Sequence, residues 1–155
     1  MNIQFRKAQQ SDAESISQLI HDSALFLKEK DFYDNGWMDF IGSIAKENIV
    51  ASISDPATFM MIALDNGEVV GIITLKRKSR VNQLFVSPGY RNSGIGKRLW
   101  ELCKCEIVTA EEIESIQVNS SSYAKQFYIR QGFVVIGGLE KKNGFIFTPM
   151  EYRVR

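Results

Sequence analysis

Apolar residues recur along this chain in two rhythms, one of period two and one near 3.6, and the switches between them mark its elements. Ile3 and Phe5 alternate with polar neighbours and predict a first strand. Ile16, Leu19, Ile20, Ala24 and Leu27 then repeat at helical spacing. Ser11-Asp12-Ala13-Glu14 has capping-box spacing, so Ser11 is expected as the N-cap of a helix running to about Leu27. Lys28 to Gly36 is charged and irregular. A second helical region is expected from Met38 through Ile53, with room for a break near Lys46-Glu47-Asn48, and Ser54-Asp55-Pro56 closes it. Phe32, Tyr33, Trp37 and Phe40 make this connector unusually aromatic. They fit a hydrophobic plug under the second helix, or the wall of a pocket.

Thr58 to Leu64 reads as a strongly apolar strand, and Asp65-Asn66-Gly67 as the tight turn after it. The returning strand, Glu68 to Lys76, is apolar on both faces through Val69, Val70, Ile72, Ile73 and Leu75, which predicts a central position in a sheet. Lys76, Arg77, Lys78 and Arg80 form a cationic cluster that suits a solvated turn or contact with a ligand phosphate. Val81 to Val86 is the next strand. A helix carrying Ile95, Leu99, Leu102 and Cys103 follows, with Glu106 as a misfit in its apolar stripe. Beyond it come a strand at Ile113 to Val118, a helix at Tyr123 to Gln131 closed by Gly132, a strand at Phe133 to Gly137, a turn at Lys142-Asn143-Gly144 and a last strand from Phe145 to Val154 with Phe145, Phe147 and Tyr152 inward. The result is an α/β layout: a mixed central sheet of about seven strands, largely antiparallel in its first half, flanked by about four helices.

The chemistry concentrates where the Leu84-Phe85-Val86 strand stops at Ser87-Pro88-Gly89 and a glycine-rich loop opens the next helix. The first amides of a helix lack partners within it and carry partial positive charge, and glycines let an anion approach them. Arg91 and Lys97 add cationic side chains. A Walker A loop built on Gly96-Lys97 needs a glycine where Arg91 stands and a Ser or Thr where Arg98 stands, so a nucleotide hydrolase is disfavoured. A dinucleotide fingerprint starting at Gly94 needs a third glycine where Leu99 stands. What remains is Arg-x-x-Gly-x-Gly, as Arg91-Asn92-Ser93-Gly94-Ile95-Gly96. Read alone, those six residues also fit a loop that merely turns the chain.

The bulk properties narrow the partners. The chain has 155 residues, is 45% hydrophobic and 24% charged, and carries a formal net charge of +1. This suits a single domain spanning 1–155, with no charge argument for nucleic acid and no apolar run for a membrane. The N-terminus lacks the apolar core of a signal peptide. Cys103 and Cys105, two apart on a helix, face different ways and suit neither a disulfide nor a metal site, so a reducing cytoplasm and no metal are expected.

A second motif lies downstream: Asn119-Ser120-Ser121-Ser122-Tyr123-Ala124-Lys125-Gln126-Phe127-Tyr128, then Gly132-Phe133. Together the two motifs, with the elements between them, resemble the GCN5-related N-acetyltransferase (GNAT) superfamily over roughly Asn2 to Tyr152. The resemblance implies transfer of an acetyl group from acetyl-CoA, as co-substrate and without a metal, to the amine of a small molecule, peptide terminus or lysine. It implies direct attack in a ternary complex, and it leaves room for a homodimer. A non-catalytic acyl-CoA-binding domain on the same fold is the alternative.

The resemblance also implies roles. The amides of Asn92, Ser93, Gly94, Ile95 and Gly96, with Arg91 and Lys97, would hold the pyrophosphate. The open edge of Leu84, Phe85 and Val86 would pair with the pantetheine arm, and an amide near Phe85 or Val86 would face the thioester oxygen. Tyr128 would protonate the departing thiolate. Asn119 lies nine residues before Tyr128 and Ser121 seven before it. Asn119 is the expected cofactor contact and Ser121 its competitor, while Ser120 or Ser121 equally suits a capping role. No carboxylate lies between Asn82 and Val86 to serve as general base. His21, Asp34 and Glu68 qualify only if the fold brings them to the thioester, and a water chain is the other option.

Overall fold

The computed structural model describes residues 2–109 and 112–154. Strands β1 (Ile3–Lys7), β2 (Thr58–Asp65), β3 (Glu68–Lys76), β4 (Arg80–Val86), β5 (Ser115–Ser120), β6 (Val134–Val135), β7 (Glu140–Lys142) and β8 (Phe145–Arg153) share one mixed sheet in the order β1-β2-β3-β4-β5-β8-β6, with β7 pairing β8. Helices α1 (Ala13–Ala24), α2 (Lys28–Asp31), α3 (Gly36–Ser43), α4 (Lys46–Ser54), α5 (Ile95–Val108) and α6 (Lys125–Arg130) flank it. The expected mixed α/β layout holds, with eight strands and six α-helices among the described residues where about seven and four were expected, and with α2 in the stretch expected to be irregular. The break allowed near Lys46-Glu47-Asn48 in the second helical region falls at Ala45, which is extended (φ −56, ψ 150) between α3 and α4. The expected strand over 133–137 shortens to Val134–Val135, and the Lys142-Asn143-Gly144 turn acquires a partner strand, β7.

Two apolar layers sandwich the sheet. On one face Ile95, Leu99, Trp100, Cys103 and Ile107 of α5 pack on Ile73, Leu75, Val81, Ile116, Val118 and Met150. On the other, Ala13, Ile16, Leu19 and Ile20 of α1, with Ile44 and Ile49, cover Met60, Ile62, Leu64 and Ile72. β3 feeds both layers, which is why its sequence is apolar on both faces. Glu106 escapes the stripe: its side chain is exposed and lies 3.9 Å from Lys7 Nζ.

The start of α1 departs from the capping reading. A 3-10 turn at Gln10–Asp12 precedes the helix, and Asp12 rather than Ser11 anchors it. The Gln9 amide donates to Asp12 Oδ2 at 2.7 Å, and Arg6 donates to both carboxylate oxygens at 2.7 and 2.9 Å. The hydrogen bond from Arg6 holds the Asp12 carboxyl below the usual carboxylate range. A depressed folded-state pKa gives stability that is present above the unfolded value, about 4, and is lost as pH falls through the folded one. Asp12→Asn is therefore expected to lower Tm at neutral pH, with the difference shrinking as pH falls below the ordinary carboxylate range. A Tm gap independent of pH in thermal melts would refute the ion-pair account.

The feature that makes a site is the junction of β4 and β5. These parallel strands pair only at Arg80↔Gln117 and Val81↔Val118. On its other side β4 matches Leu75 with Val81 and Thr74 with Gln83, which leaves Asn82 as an extra residue. Such a bulge sharpens strand twist and ends pairing. Beyond it β4 turns away from β5, and among the described residues no strand lies beside its edge from Asn82 to Val86.

Candidate active site

Two clefts meet at this split. The first, of about 670 Å³, runs from the open edge of β4 to the start of α5. The second, of about 380 Å³, lies on the side of α3 and the β7–β8 hairpin. Leu27, Leu84, Phe85, Ser121 and Ala124 line both, so the two spaces adjoin across the end of β4.

The first cleft has the character of an anion site. Asn92 (φ 61) and Gly94 (φ 85) take left-handed backbone, which turns the loop onto the N-terminus of α5. Gly94 is the N-cap, and no side chain caps the helix. Among the described residues no backbone amide from Asn92 to Lys97 donates to a protein acceptor. Arg91, Lys97 and Arg130 line the cleft, and no Asp or Glu does. Ser23 also lines it, and its buried Oγ has no hydrogen-bond partner among the described residues. Free amides, three cations, an open strand edge and an orphaned hydroxyl fit a ligand with phosphates at one end and amides along its arm. That is the chemistry of coenzyme A.

Most of the expected cofactor contacts line this first cleft: Leu84, Phe85, Val86, Arg91, Asn92, Gly94, Ile95, Gly96, Lys97 and Ser121. Ser93 does not line it; its hydroxyl donates to the carbonyl of Tyr90. Arg91 is turned across the cleft mouth, where it donates to Ser23 O at 2.9 Å and stacks 4.3 Å from the Phe26 ring and 5.4 Å from that of Tyr123. Asn119 faces the second cleft and is exposed, since strand alternation buries its neighbours Val118 and Ser120. Ser121 accepts from the Ala124 amide at 3.2 Å, so it braces the turn into α6 while lining both clefts. Sequence reasoning missed Arg130. Its place in the helical pattern was visible, but not that α6 presents it toward the loop before α5.

Tyr128 lines the second cleft near the junction and is 5% exposed. Phe127 and Phe133 pack against its ring. Its hydroxyl makes no hydrogen bond to another described residue. Burial, and secondarily the neighbouring Cys103, push its pKa well above the ordinary phenol value, so it stays protonated at neutral pH. Burial likewise pushes the Cys103 thiol up to about 12, which leaves it a packing residue rather than a nucleophile.

The second cleft uses both readings of the aromatic connector. Phe32 packs on Trp37, Phe40 and Phe145, with centroids 5.2, 5.4 and 5.1 Å apart, and Phe40 reaches Phe85 at 6.3 Å. Phe32, Phe40, Phe85 and Phe145 line the cleft, whereas Trp37 lies beneath them. The connector is pinned to the β7–β8 hairpin: the Tyr33 amide donates to Gly144 O at 3.0 Å, and a Cβ on Gly36 would sit 2.0 Å from that oxygen. Only glycine permits so close a backbone approach.

The three conditional bases stand elsewhere. His21 Nδ1 lies 3.1 Å from Asp22, Asp34 is exposed, and Glu68 belongs to the β2–β3 hairpin; none lines either cleft. The carboxylate that does line the second cleft is Asp39 on α3. Sequence reasoning missed it because a lone carboxylate on the expected second helix carries no local sign of which cleft that helix borders. Among the described residues no group of three or more His, Cys, Asp or Glu is arranged to hold a metal, and no helix is long and apolar enough to cross a membrane.

Comparison with known proteins gives the same picture. A family model described as an acetyltransferase (GNAT) domain matches residues 28–154. Aminoalkylphosphonate N-acetyltransferase of Salmonella typhimurium is 29% identical over 114 residues, which are 66% of this chain and 70% of that protein. The fold matches PaiA N-acetyltransferase from Thermoplasma acidophilum in complex with coenzyme A (TM-score 0.82, 21% identity, 99% of both chains). It also matches a GCN5-related N-acetyltransferase from Rhodopseudomonas palustris (TM-score 0.81, 21% identity, 99% of this chain and 96% of that one). With a split sheet, a cationic loop at a bare helix start and a family model covering most of its length, the chain belongs to the GNAT acetyltransferases, enzymes that move an acetyl group from acetyl-CoA to an amine.

Proposed function

We propose that this protein, as a single domain over residues 1–155 in a reducing cytoplasm, acetylates a small-molecule amine held in the second cleft, with acetyl-CoA held in the first. The observation that carries the reading is the adjacency of the two clefts at Leu84, Phe85, Ser121 and Ala124, beside Tyr128. Bound acetyl-CoA would supply an activated acetyl group and a thiol leaving group.

The roles follow from local chemistry. The amides of Asn92 to Gly96, with Arg91, Lys97 and Arg130, receive the phosphates. The free edge of β4 pairs with the pantetheine amides, and an amide at Phe85 or Val86 stabilises charge on the acetyl oxygen. Ser121 is the polar side chain at the junction; Asn119 acts on the acceptor side. Asp39 attracts the acceptor's ammonium and takes the proton that must leave before nitrogen can attack. Tyr128 Oη gives a proton to sulfur. Its raised pKa does not oppose this, because the burial that disfavours phenolate also disfavours thiolate. The nitrogen loses two protons, one to Asp39 before attack and one as the tetrahedral adduct collapses; Tyr128 gives one to sulfur and is reprotonated, so one proton is released to solvent overall.

The test is thiol release from acetyl-CoA in the presence of an amine panel, with product mass measured. Release that depends on amine and yields a product heavier by one acetyl group is expected. Tight coenzyme A binding with no release for any amine would favour a non-catalytic acyl-CoA-binding domain. The Salmonella relative's name denotes an acceptor carrying both an amine and a phosphonate, which makes such compounds sensible members of the panel.

A further inference from the structure

Arg80 is the group in the second cleft that acetyl transfer does not use. It begins β4, lies opposite Gln117 where β4 and β5 still pair, and lines the cleft together with Asn82, Asn119 and Asn143. Its guanidinium donates to Gln117 Oε1 at 3.0 Å. Among the described residues no carboxylate lies within ion-pair reach of it. A guanidinium has five N–H donors in a planar fork, and one is used here. The bond to Gln117 orients the fork at little cost to its capacity. Its neighbours are neutral carboxamides, which add donors without cancelling charge. Lys76, Arg77 and Lys78 lie close by in sequence but do not line the cleft, so Arg80 alone of that cationic cluster serves it.

Position along the strand gives the geometry of what Arg80 would meet. Leu84, at the junction of the clefts, is four positions beyond Arg80, so their Cα atoms are on the order of 13 Å apart at a rise of about 3.3 Å per residue. The bulge at Asn82 shortens this, and the arginine side chain spans part of the remainder. Phe32, Phe40 and Phe145 line the same cleft, and Phe40 meets Phe85 at its junction end. The cleft thus combines Tyr128 and Asp39, an aromatic lining and, four positions along β4 from the junction, one cationic side chain.

From this we infer that Arg80 is a specificity-determining residue, and that the acceptor is a small amine bearing an acidic group, carboxylate or phosphonate, at the end remote from its nitrogen. The inference rests on the acetyl-transfer reading above for the amine end. The acid end rests on Arg80 itself.

Matched acceptors test it. 4-(Aminomethyl)benzoate and benzylamine differ by the acid alone, as do 3-aminopropylphosphonate and propylamine. The acid-bearing member of at least one pair is expected to have a ten- to hundredfold higher kcat/KM, the range of a charge-assisted hydrogen bond at a partly open site. Which pair shows it separates a carboxylate from a phosphonate. In Arg80→Gln the ratio should fall toward one, and Arg80→Lys should keep part of it. Coenzyme A affinity, measured on each variant, reports whether the strand junction is intact. In parallel, calorimetric binding of the two acids to the coenzyme A-loaded protein should weaken by a similar factor in Arg80→Gln. A ratio near one in the unaltered protein, or a ratio that survives Arg80→Gln, overturns the inference while acetyl transfer stands. If no amine turns over, Arg80-dependent binding of the acid upholds the subsite and sinks the transfer reading instead. Absence of both turnover and acid binding overturns the two together.

Discussion

Tyr128→Phe is expected to lower kcat by about 10²- to 10⁴-fold, the usual range for loss of a positioned general acid. The substitution is unusually clean at this position. The ring is clasped by Phe127 and Phe133, and phenylalanine keeps those contacts. The hydroxyl bonds no other described residue, so its removal orphans no partner, and stability should change by less than about 1 kcal/mol. Coenzyme A affinity should hold, since Tyr128 lines the acceptor side of the junction. The raised pKa adds a pH signature. A phenol lifted above its ordinary value of about 10 keeps its proton to higher pH, so no loss of activity from Tyr128 ionisation is expected up to that value. A Tyr128→Phe enzyme within threefold of the parent in kcat, over the neutral range, would remove the acid role.

Gly94→Val is expected to weaken coenzyme A binding by about ten- to a hundredfold, the equivalent of roughly 1–3 kcal/mol of backbone strain. Gly94 holds φ at +85 as N-cap of α5, where a β-branched residue is a genuine outlier. Nothing lies within 4 Å of a Cβ built there, so crowding is not the cause; conformation alone is. A valine can keep the turn and store the strain, or rotate the loop and aim its amides away from the anion. Calorimetry distinguishes the two, since the first lowers Tm and the second spares it while affinity falls. Unchanged affinity with unchanged Tm would show that the loop amides do not hold the phosphates. Gly94→Ala should follow the same direction with a smaller effect.

How much of the site could be read beforehand depended on how local each feature is. The anion loop was legible because its parts are adjacent: a strand end, glycines, and a helix start follow one another within a dozen residues, and backbone conformation obeys short-range sterics. Tyr128 was legible through the run around it. Arg91 shows the limit even there. Its cation was visible, but its stacking on Phe26 and Tyr123 joins residues from two distant segments. The capping reading failed at Ser11 for the same reason, since Arg6 across the chain reversal selects Asp12 instead.

The sequence by itself determined the order of the main elements, the central place of β3, the bare cationic start of α5 and the family. Each of these depends on periodicity, turn chemistry or a contiguous motif, which neighbouring residues settle among themselves. Only the tertiary structure decided that β4 and β5 part after Val81, that Asp39, Arg80, Asn119 and Asn143 border one cleft, and that Arg130 joins the phosphate side. A bulge at Asn82 depends on the register with β3, and a shared cleft depends on crossings between segments dozens of residues apart. No local pattern encodes such convergences. They arise when the two apolar layers close on the sheet and fix which polar residues are left to face one another.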